Sequence, residues 1–383
     1  MPSNAVVVTG SRRLNGNEAR SQGSPGRPRN PHITLKGIAV ALTIREVAEA
    51  AGVSQATAAR ALNGYGSVSV QSRRKVEAAA ASLGYRTNRI AQALRLGQTR
   101  TVGFIPGDLE NPFFAKIARH LGDVLEVEGY TLIISSSDER LDRERKIIET
   151  FRAHLLSGLV IAPTAQERAP HLEKLAKDGI PLVLIDRMIE GLNVDSVTVN
   201  NEGAGYQAVS HLTELGHRRI AIVSDNLQIA STSERFVGYQ KALADHNIML
   251  DPQLIGVAGS SRENAYSAAT RILGLSESPT ALFTTDNFMT EGALLAIHDR
   301  GLSVPDDISL VGFDDVDPRT LMNPSVTVVA QPIADIGQQA AQLLVRRMSG
   351  ESFEPQHVQL LAELIIREST APARSAAVSN YAK

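Results

Sequence analysis

Gln55 and Arg60 have side chains that can read base pairs, and they lie in one short stretch with helical periodicity. A glutamine amide can bind adenine through two hydrogen bonds, and an arginine guanidinium can bind guanine in the same way. Ala56, beside Gln55, can offer only a methyl contact. The residue types therefore favour a base-reading surface, with an ordinary surface charge at Arg60 as the alternative.

A helix-turn-helix unit over residues 43–63 is predicted to position these side chains. Apolar residues recur at the spacing i, i+3, i+4 before Gly52, and a second periodic run follows it. Gly52 lies where the first helix must stop, and Ser54 is placed to cap the second helix. Three small residues can let the helices cross closely: Ala48, Ala51 and Ala58. Such a unit can present its second helix to a major groove, and a plain helical hairpin is the alternative.

A third helix, capped by Ser69 or Ser72, is predicted to run through Leu83 and close a small helical core. Its apolar face consists of Val76, Ala79, Ala80 and Leu83. Its basic residues, which we expect to face outward near phosphates, are Arg73, Arg74 and Lys75.

The charge is unevenly distributed along the 383 residues, although the net charge is only −2. Residues 43–100 contain nine basic and three acidic residues, and residues 1–42 contain six basic and one acidic, which leaves −13 for the remainder. A basic amino-terminal module on an acidic body is typical of a protein that places one end on a polyanion. Residues 1–42 are rich in Gly, Pro, Ser, Asn and Arg, and we expect them to form a disordered basic tail.

The composition excludes several classes of site. The chain has no cysteine, so disulfides and thiolate metal sites are absent, and its 43% apolar content suits a globular protein. No run approaches membrane-spanning length and no signal peptide is recognisable, so we expect a cytoplasmic protein. The phosphate-binding and metalloprotease motifs of common enzymes are missing. His211 and His217 could suggest a metal, but their setting favours a structural role.

From Thr101 onward, short apolar runs alternate with amphipathic stretches, which predicts repeated βα units and parallel sheets. The length of this region exceeds what one such sheet usually needs. We therefore expect two parallel-sheet sub-domains with a ligand crevice between them, at the carboxyl ends of the strands.

Six phrases in collinear order carry a family resemblance. They are AGVSxxTxxRxLN at 51–63, NRIAQALRLGQT at 88–99, NPFF at 111–114, GHRRIA at 216–221, ERFVGYQKAL at 234–243 and SVPDDISLVGFDD at 303–315. With this order and spacing, residues 43 to about 368 resemble the lactose-repressor (LacI/GalR) family of bacterial transcription regulators. The resemblance implies an all-α helix-turn-helix headpiece, a hinge helix and an α/β periplasmic-binding-protein-like domain.

The resemblance assigns DNA contacts to the second helix and the hinge. Gln55 and Ala56 would read bases, Arg60 would reach a base edge, and Thr57 and Asn63 would touch phosphates. The predicted DNA-binding set is completed by Ser54, Asn88, Ala91 and Leu94. The chain departs from the family's usual TVSR at residues 57–60, where it reads TAAR, so one serine hydroxyl and its phosphate contact are lost.

Leu94 resembles the family's leucine wedge, which enters the minor groove beside its dimer mate and unstacks a base step. Residues 88–96 can form about two helical turns, shorter than the ~12–15 residues that an isolated helix needs in water. We therefore expect this hinge to be helical only when something packs on it. A leucine that packs on the headpiece is the alternative.

The resemblance also assigns an effector site. Phe113 and Phe114 would form stacking walls on one sub-domain, Arg235 and Asp314 polar clamps on the other, and Asp286 a contact at the cleft mouth. An apolar ring face with charged hydrogen-bonding groups is what a polyol needs. Arg235 and Asp314 could instead pair only with each other. Near Ser260 the family often places another aromatic residue, which this chain lacks.

Together these expectations divide the chain into five segments. They are a disordered basic tail at 1–42, a headpiece at 43–87, a hinge helix and linker at 88–100, an effector-binding and dimerisation domain at 101–368, and a flexible tail at 369–383. We expect a homodimeric regulator, most simply a repressor, with operator DNA and a sugar-like effector as partners and no cofactor. A sugar-binding receptor without a transcriptional role is the alternative, but it predicts a signal peptide and no headpiece.

Overall fold

The computed structural model describes residues 42–63, 66–85, 99–164, 168–315 and 323–374. These residues fall into two compact units, which divide between residues 87 and 88. No helix in the described ranges is long and apolar enough to cross a membrane. The predicted hinge contacts Asn88, Ala91 and Leu94 lie outside the described residues.

The amino-terminal unit contains three helices, α1 (Ile44–Ala51), α2 (Gln55–Asn63) and α3 (Val70–Leu83). Glu46 accepts hydrogen bonds from the Thr43 amide at 2.6 Å and the Thr43 hydroxyl at 2.9 Å, which fixes the start of α1. Gly52 ends α1 with a φ of 63°, as the sequence predicts.

The core of this unit is made of small residues. Its buried members are Val47, Ala48, Ala51, Ala58, Ala61, Val76, Ala79 and Ala80. All three alanines predicted to let the helices approach are among them, because a larger side chain would push the crossing helices apart. One expectation is wrong: Arg73 is only half exposed, and its guanidinium donates to the Ala61 carbonyl at 3.0 Å, so it ties α3 to α2.

The larger unit consists of two six-stranded sheets, as expected. Sheet 1 has the order β2-β1-β3-β4-β5-β11, and sheet 2 the order β7-β6-β8-β9-β10-β12. The strands are β1 (Thr101–Ile105), β2 (Thr131–Ile134), β3 (Gly158–Ile161), β4 (Leu182–Ile185), β5 (Asp195–Val199), β6 (Ile220–Ser224), β7 (Ile255–Val257), β8 (Ala281–Thr284), β9 (Ser309–Phe313), β10 (Thr327–Ala330), β11 (His357–Leu360) and β12 (Glu363–Ile365). All pairings are parallel except β10 with β12, where Val328 lies opposite Ile365.

Helices cover both faces of each sheet. They are α4 (Pro112–Val127), α5 (Leu141–Ala153), α6 (Pro170–Lys177), α7 (Asn201–Glu214), α8 (Ala230–Asp245), α9 (Arg262–Leu273), α10 (Asn287–Asp299) and α11 (Ile333–Met348), with a 3-10 turn at Pro252–Leu254. Because both faces are covered, the central strands β3, β4, β6, β8 and β9 are mostly apolar and buried at every position.

The chain crosses between the two sheets three times. It passes from β5 into α7, from β10 into α11, and from β11 into β12. These three crossover segments join the two sub-domains, and such connections are where a relative movement of sub-domains is accommodated.

The prediction of a flexible tail over residues 369–383 is wrong for its first part. Ser369 is fully buried, and its hydroxyl donates to the Leu310 carbonyl at 2.6 Å and accepts from the Thr327 amide at 2.7 Å. The Ala373 amide donates to the Leu215 carbonyl at 2.8 Å. This segment is held by hydrogen bonds to backbone groups of neighbouring elements. Such bonds leave no mark on the composition or periodicity of a sequence, so the sequence could not predict them. Residues 375–383 lie outside the described residues.

Candidate ligand cleft and nucleic-acid interface

The second helix of the headpiece exposes the three side chains predicted to read bases. Gln55, Ala56 and Arg60 are exposed, while Ala58 and Ala61 on the opposite face are buried in the helical core. The burial pattern therefore leaves the predicted contact face of α2 open to a partner.

Ser54 caps α2, as the sequence predicts. Its hydroxyl oxygen accepts from the Thr57 amide at 3.1 Å and shares a hydrogen bond of 2.8 Å with the Thr57 hydroxyl. The Thr57 hydroxyl is therefore already hydrogen-bonded to Ser54. If it also contacts a phosphate, it must do so while keeping or giving up that hydrogen bond. The Asn63 side chain lies outside what the structure describes.

The cleft lies between the two sheets of the larger unit, where the carboxyl ends of their strands face each other. All five predicted effector residues line it: Phe113, Phe114, Arg235, Asp286 and Asp314. Sequence reasoning missed further lining residues, among them Asp108, Glu139, Asp186, Arg187, Asp225, Ser231 and Gln331.

The two phenylalanines form the aromatic wall at the amino end of α4. Asn111 caps this helix by accepting from the Phe113 amide at 3.0 Å. The rings of Phe113 and Phe114 pack edge to face with centroids 5.0 Å apart, and both side chains are buried. The wall is therefore rigid before any ligand arrives.

Arg235 reaches the cleft from α8 and is fixed by contacts that are not carboxylates. Its Nε donates to Asn201 Oδ1 at 2.8 Å and its Nη1 to the Thr285 carbonyl at 2.7 Å. The guanidinium lies 3.7 Å from the centroid of the Phe313 ring. Gly205 on α7 packs against the Arg235 backbone on α8. A Cβ at this position would lie only 2.2 Å from the Arg235 carbonyl oxygen, so the close approach of the two helices requires glycine.

Asp314 is held by two amides. Its Oδ1 accepts from Gln331 Nε2 at 2.6 Å and its Oδ2 from Asn287 Nδ2 at 3.4 Å. Burial raises the pKa of this carboxyl. Among the described residues Arg235 and Asp314 form no ion pair with each other, so the alternative of a purely structural bridge between them is not supported.

Asp286 caps α10 and turns its carboxylate towards the cleft. Its Oδ1 accepts from the Met289 amide at 2.9 Å. Burial, together with the negative charge of Asp225, raises the pKa of Asp286 to about 7.

A buried charge cluster that the sequence did not reveal lies on the side of sheet 1. Arg187 is almost fully buried, and its Nη1 and Nη2 each donate to a Glu139 oxygen at 2.8 Å. Its Nε donates to Asp186 Oδ2 at 2.9 Å. Asp186 directly follows β4, and the rule that ligands bind beyond the carboxyl ends of strands could have found it.

Side chains meet across the cleft at three places. Ser231 Oγ donates to Asp186 Oδ2 at 3.2 Å, Asn287 Nδ2 to Asn111 Oδ1 at 3.1 Å, and Lys116 Nζ to the Asp315 carbonyl at 3.2 Å. The cavity measures about 50 Å³, which is room for a few water molecules. The structure therefore shows a closed cleft, and a larger ligand requires the sub-domains to separate.

The two histidines considered as a metal site form hydrogen bonds within the sub-domain of sheet 2. His217 is buried, with Nδ1 2.9 Å from Thr280 Oγ1 and Nε2 3.0 Å from the Ala371 carbonyl. His211 Nε2 lies 3.0 Å from Thr370 Oγ1. Within the described ranges no group of three or more metal-ligating side chains occurs.

Two parts of the chain match known protein families. Residues 43–88 match the family described as bacterial regulatory proteins, lacI family, and residues 209–370 match a periplasmic binding protein-like domain. Catabolite control protein A of Priestia megaterium is 33% identical over 330 residues, which are 86% of this chain and 99% of that protein. The chain belongs to the LacI family of bacterial regulatory proteins.

Other members are similar over the same length. The transcriptional repressor PurR of Histophilus somni is 30% identical over 328 residues, 85% of this chain and 98% of that repressor. Among solved structures, the lac repressor dimer bound to operator and the anti-inducer ONPF has a TM-score of 0.77 at 27% identity, covering 86% of this chain and 99% of that one.

Two structural neighbours were solved with sugars. A CelR-cellobiose complex has a TM-score of 0.64 at 28% identity and covers 86% of this chain and 99% of that one. A regulator from Enterococcus faecium with bound ribose has a TM-score of 0.64 at 28% identity and covers 71% of this chain and 99% of that one. This LacI-family chain is accordingly a DNA-binding transcriptional regulator and not an enzyme, and the expected family and fold class are confirmed.

Proposed function

We propose that this regulator is a homodimeric repressor whose affinity for operator DNA is set by a sugar or sugar derivative in the cleft between its sub-domains. The observation that carries the proposal is the pairing of the rigid Phe113 and Phe114 wall with Arg235, Asp286 and Asp314 in one cleft. Aromatic faces contact the CH surface of a sugar ring, and the charged groups bind its hydroxyls. The neighbours with cellobiose and ribose support this chemistry.

The DNA contacts are proposed on the exposed face of α2. Gln55 and Arg60 can each form two hydrogen bonds with a base edge, and Ala56 can contact a thymine methyl group. Thr57 and Asn63 would touch phosphates, Leu94 would enter the minor groove, and Ser54, Asn88 and Ala91 complete the DNA-binding set. These last assignments rest on the family resemblance.

Dimerisation gives the two headpieces a symmetric arrangement. A two-fold dimer reads a pseudo-palindromic operator, because each headpiece meets the same half-site. The lac repressor neighbour was solved as a dimer on operator, which supports this assembly. We place the protein in the cytoplasm, where the DNA is accessible. The receptor alternative is disfavoured because it leaves the basic helix-turn-helix headpiece without a role.

The effector acts by changing the balance between closed and open clefts. The structure shows a closed cleft with a cavity of about 50 Å³, smaller than a sugar ring. A ligand can shift this balance only if it binds the two states with different affinity. The changed angle between sub-domains would alter the spacing of the paired hinges and so the fit to the operator.

A two-step experiment tests the proposal on the full chain. A thermal-shift screen against sugars and nucleosides identifies molecules that raise the melting temperature, since a ligand of the folded state stabilises it. Gel shifts on an inverted repeat near the protein's own gene then follow operator binding with and without each hit. A stabilising sugar that changes operator affinity supports the proposal. Protection of no inverted repeat, with any of these molecules, would overturn it.

A further inference from the structure

We propose that the effector carries a positive charge, as an amine-bearing sugar derivative does, and that its ammonium group binds against Asp225 and Asp286. This inference rests on the proposed function and adds the ligand's charge. It predicts that neutral sugars of the same shape bind less tightly and that phosphorylated sugars are rejected.

The first observation is the charge of the cleft lining. Six acidic residues line the cleft: Asp108, Glu139, Asp186, Asp225, Asp286 and Asp314. Two arginines, Arg187 and Arg235, oppose them. Glu139 and Asp186 already occupy Arg187, and Arg235 donates to Asn201 and to the Thr285 carbonyl. Of these six cleft carboxylates, the four of Asp108, Asp225, Asp286 and Asp314 therefore form no ion pair with a described residue.

The fold places two of these carboxylates side by side. Asp225 follows β6 and Asp286 follows shortly after β8, and these strands are hydrogen-bonded neighbours in sheet 2. The Asp225 amide donates to Thr285 Oγ1 at 3.0 Å, which ties the two strand ends together. Ser260 then orients Asp225, because its hydroxyl lies 3.0 and 3.1 Å from the two carboxylate oxygens.

The second observation is an acceptor without a donor. Asp286 is 7% exposed, and its Oδ1 is satisfied by the Met289 amide. Its Oδ2 has no hydrogen-bond partner among the described residues, and the side chain lines the cleft. This oxygen therefore has acceptor capacity that a donor on a ligand in the cleft can use.

Charge decides between an ammonium and a hydroxyl as that donor. A hydroxyl satisfies one lone pair and leaves the repulsion between the two carboxylates unchanged. An ammonium group brings three N–H donors and a positive charge, which offsets the repulsion between the two carboxylates. Phe113 and Phe114 supply aromatic faces that also attract a cation. An anion would instead add to the repulsion.

The protonation of Asp286 gives an independent signature. Burial and the Asp225 charge raise its pKa to about 7, whereas the charges of Arg235 and the amide of Met289 act against that rise. An ammonium ligand favours the ionised carboxylate, so its binding near neutral pH releases a proton to the buffer. A neutral sugar leaves this proton in place.

The test is calorimetric titration of the full chain with matched sugars at pH 6.5, where a sugar amine is protonated. The series are D-glucosamine, D-galactosamine and D-mannosamine, each with its parent hexose, its N-acetyl form and the parent 6-phosphate. We expect at least one amine to bind at least tenfold tighter than its neutral counterparts and to release a proton. The preference should fall below threefold in Asp286→Asn and Asp225→Asn and persist in the surface variant Asp142→Asn.

The outcomes separate the two proposals. Neutral sugars that bind as tightly as their amines, or an amine preference that survives both cleft substitutions, would overturn the charged effector and leave the sugar-type effector standing. Binding of no member of any series would overturn the charged sugar effector, and the thermal-shift screen then decides on the sugar-type effector separately. If a cleft variant does not fold, the ratio of amine to parent sugar in the unmodified chain still decides the question.

Discussion

Asp186 and Asp314 occupy equivalent positions in the two sub-domains. Each directly follows a central strand of its sheet, with φ angles of 67° and 71°. Their backbone amides donate to equivalent carbonyls, Asp186 to Val197 at 3.1 Å and Asp314 to Val329 at 2.9 Å. Each sheet therefore presents one carboxylate to the cleft from the same kind of turn, and closure brings both towards a ligand.

The left-handed turn at Asp314 gives a stability prediction. Asparagine tolerates this backbone region, whereas alanine there costs about 1–2 kcal/mol, and alanine also loses the contact with Gln331. We expect Asp314→Ala to unfold at lower urea than Asp314→Asn, with effector binding weakened in both. Chemical denaturation of the two variants checks this, and equal midpoints would contradict the role of the backbone.

Base reading by α2 gives a specificity prediction. Substituting Gln55→Ala or Arg60→Ala should weaken operator binding by about 1–3 kcal/mol and relax the preference at one base position. Both side chains are exposed, so the melting temperature should not change. Gel shifts on operator variants provide the measurement. Arg119→Ala, an exposed change on α4, is the matched loss of one positive charge and should leave operator affinity unchanged.

The leucine wedge gives a prediction about the hinge, which the described residues do not include. Leu94→Ala should weaken operator binding well beyond the loss of one apolar contact, because an unfilled base step no longer holds the duplex bent. Effector binding should be the same as in the unmodified chain. If operator affinity is retained in a gel-shift titration, Leu94 is not a wedge.

The raised pKa of Asp286 gives a prediction about pH. A carboxyl whose pKa is about 7 in the folded chain and 3.8 as its ordinary value binds its proton more tightly when folded. Its contribution to stability therefore falls as the pH rises from about 4 to about 7 and is constant above that. Asp286→Asn should remove this slope, by about 2 kcal/mol between pH 5 and pH 7. Urea denaturation at several pH values checks it, and parallel pH profiles for the two proteins would refute it.

His217 gives a prediction in which the stability of the folded chain rises with pH, the opposite of the trend at Asp286. Burial lowers the pKa of this histidine, so the folded chain favours the neutral ring and loses stability as the pH falls below about 6.5. His217→Ala should cost about 2–3 kcal/mol, since buried partners on Thr280 and Ala371 lose their hydrogen bonds. Because His217 contacts the Ala371 carbonyl, His217→Ala should also accelerate amide hydrogen exchange at residues 369–373.

The exposed His154→Ala is the control for both measurements. Slow exchange in His217→Ala would show that the segment is held by other contacts.

The local pattern of the headpiece was readable from the sequence because each of its signals acts within a few residues. Gly52 ends α1 with a positive φ and Ser54 caps α2, as predicted, since helix ends depend on the backbone and the adjacent side chain. Arg73 was placed wrongly because its partner, the Ala61 carbonyl, lies on another helix, and helical periodicity contains no information on that distance.

In the cleft, the resemblance supplied five side chains, but the network around them came only from the structure. The pairing of Glu139 with Arg187 joins loops 48 residues apart, and Ser231 meets Asp186 across the two sub-domains. Nothing in the composition or spacing of either segment marks such a contact.

The sequence by itself determined the alternation of strands and helices, the two parallel sheets, the helix-turn-helix headpiece and the family, because these follow from periodicity and local motifs. Only the tertiary structure decided which carboxylates are neutralised and which are left to a ligand. Electrostatic balance depends on distances and burial set by the packing of both sheets, and in this chain that packing leaves Asp225 and Asp286 on neighbouring strand ends without an ion pair to a described residue.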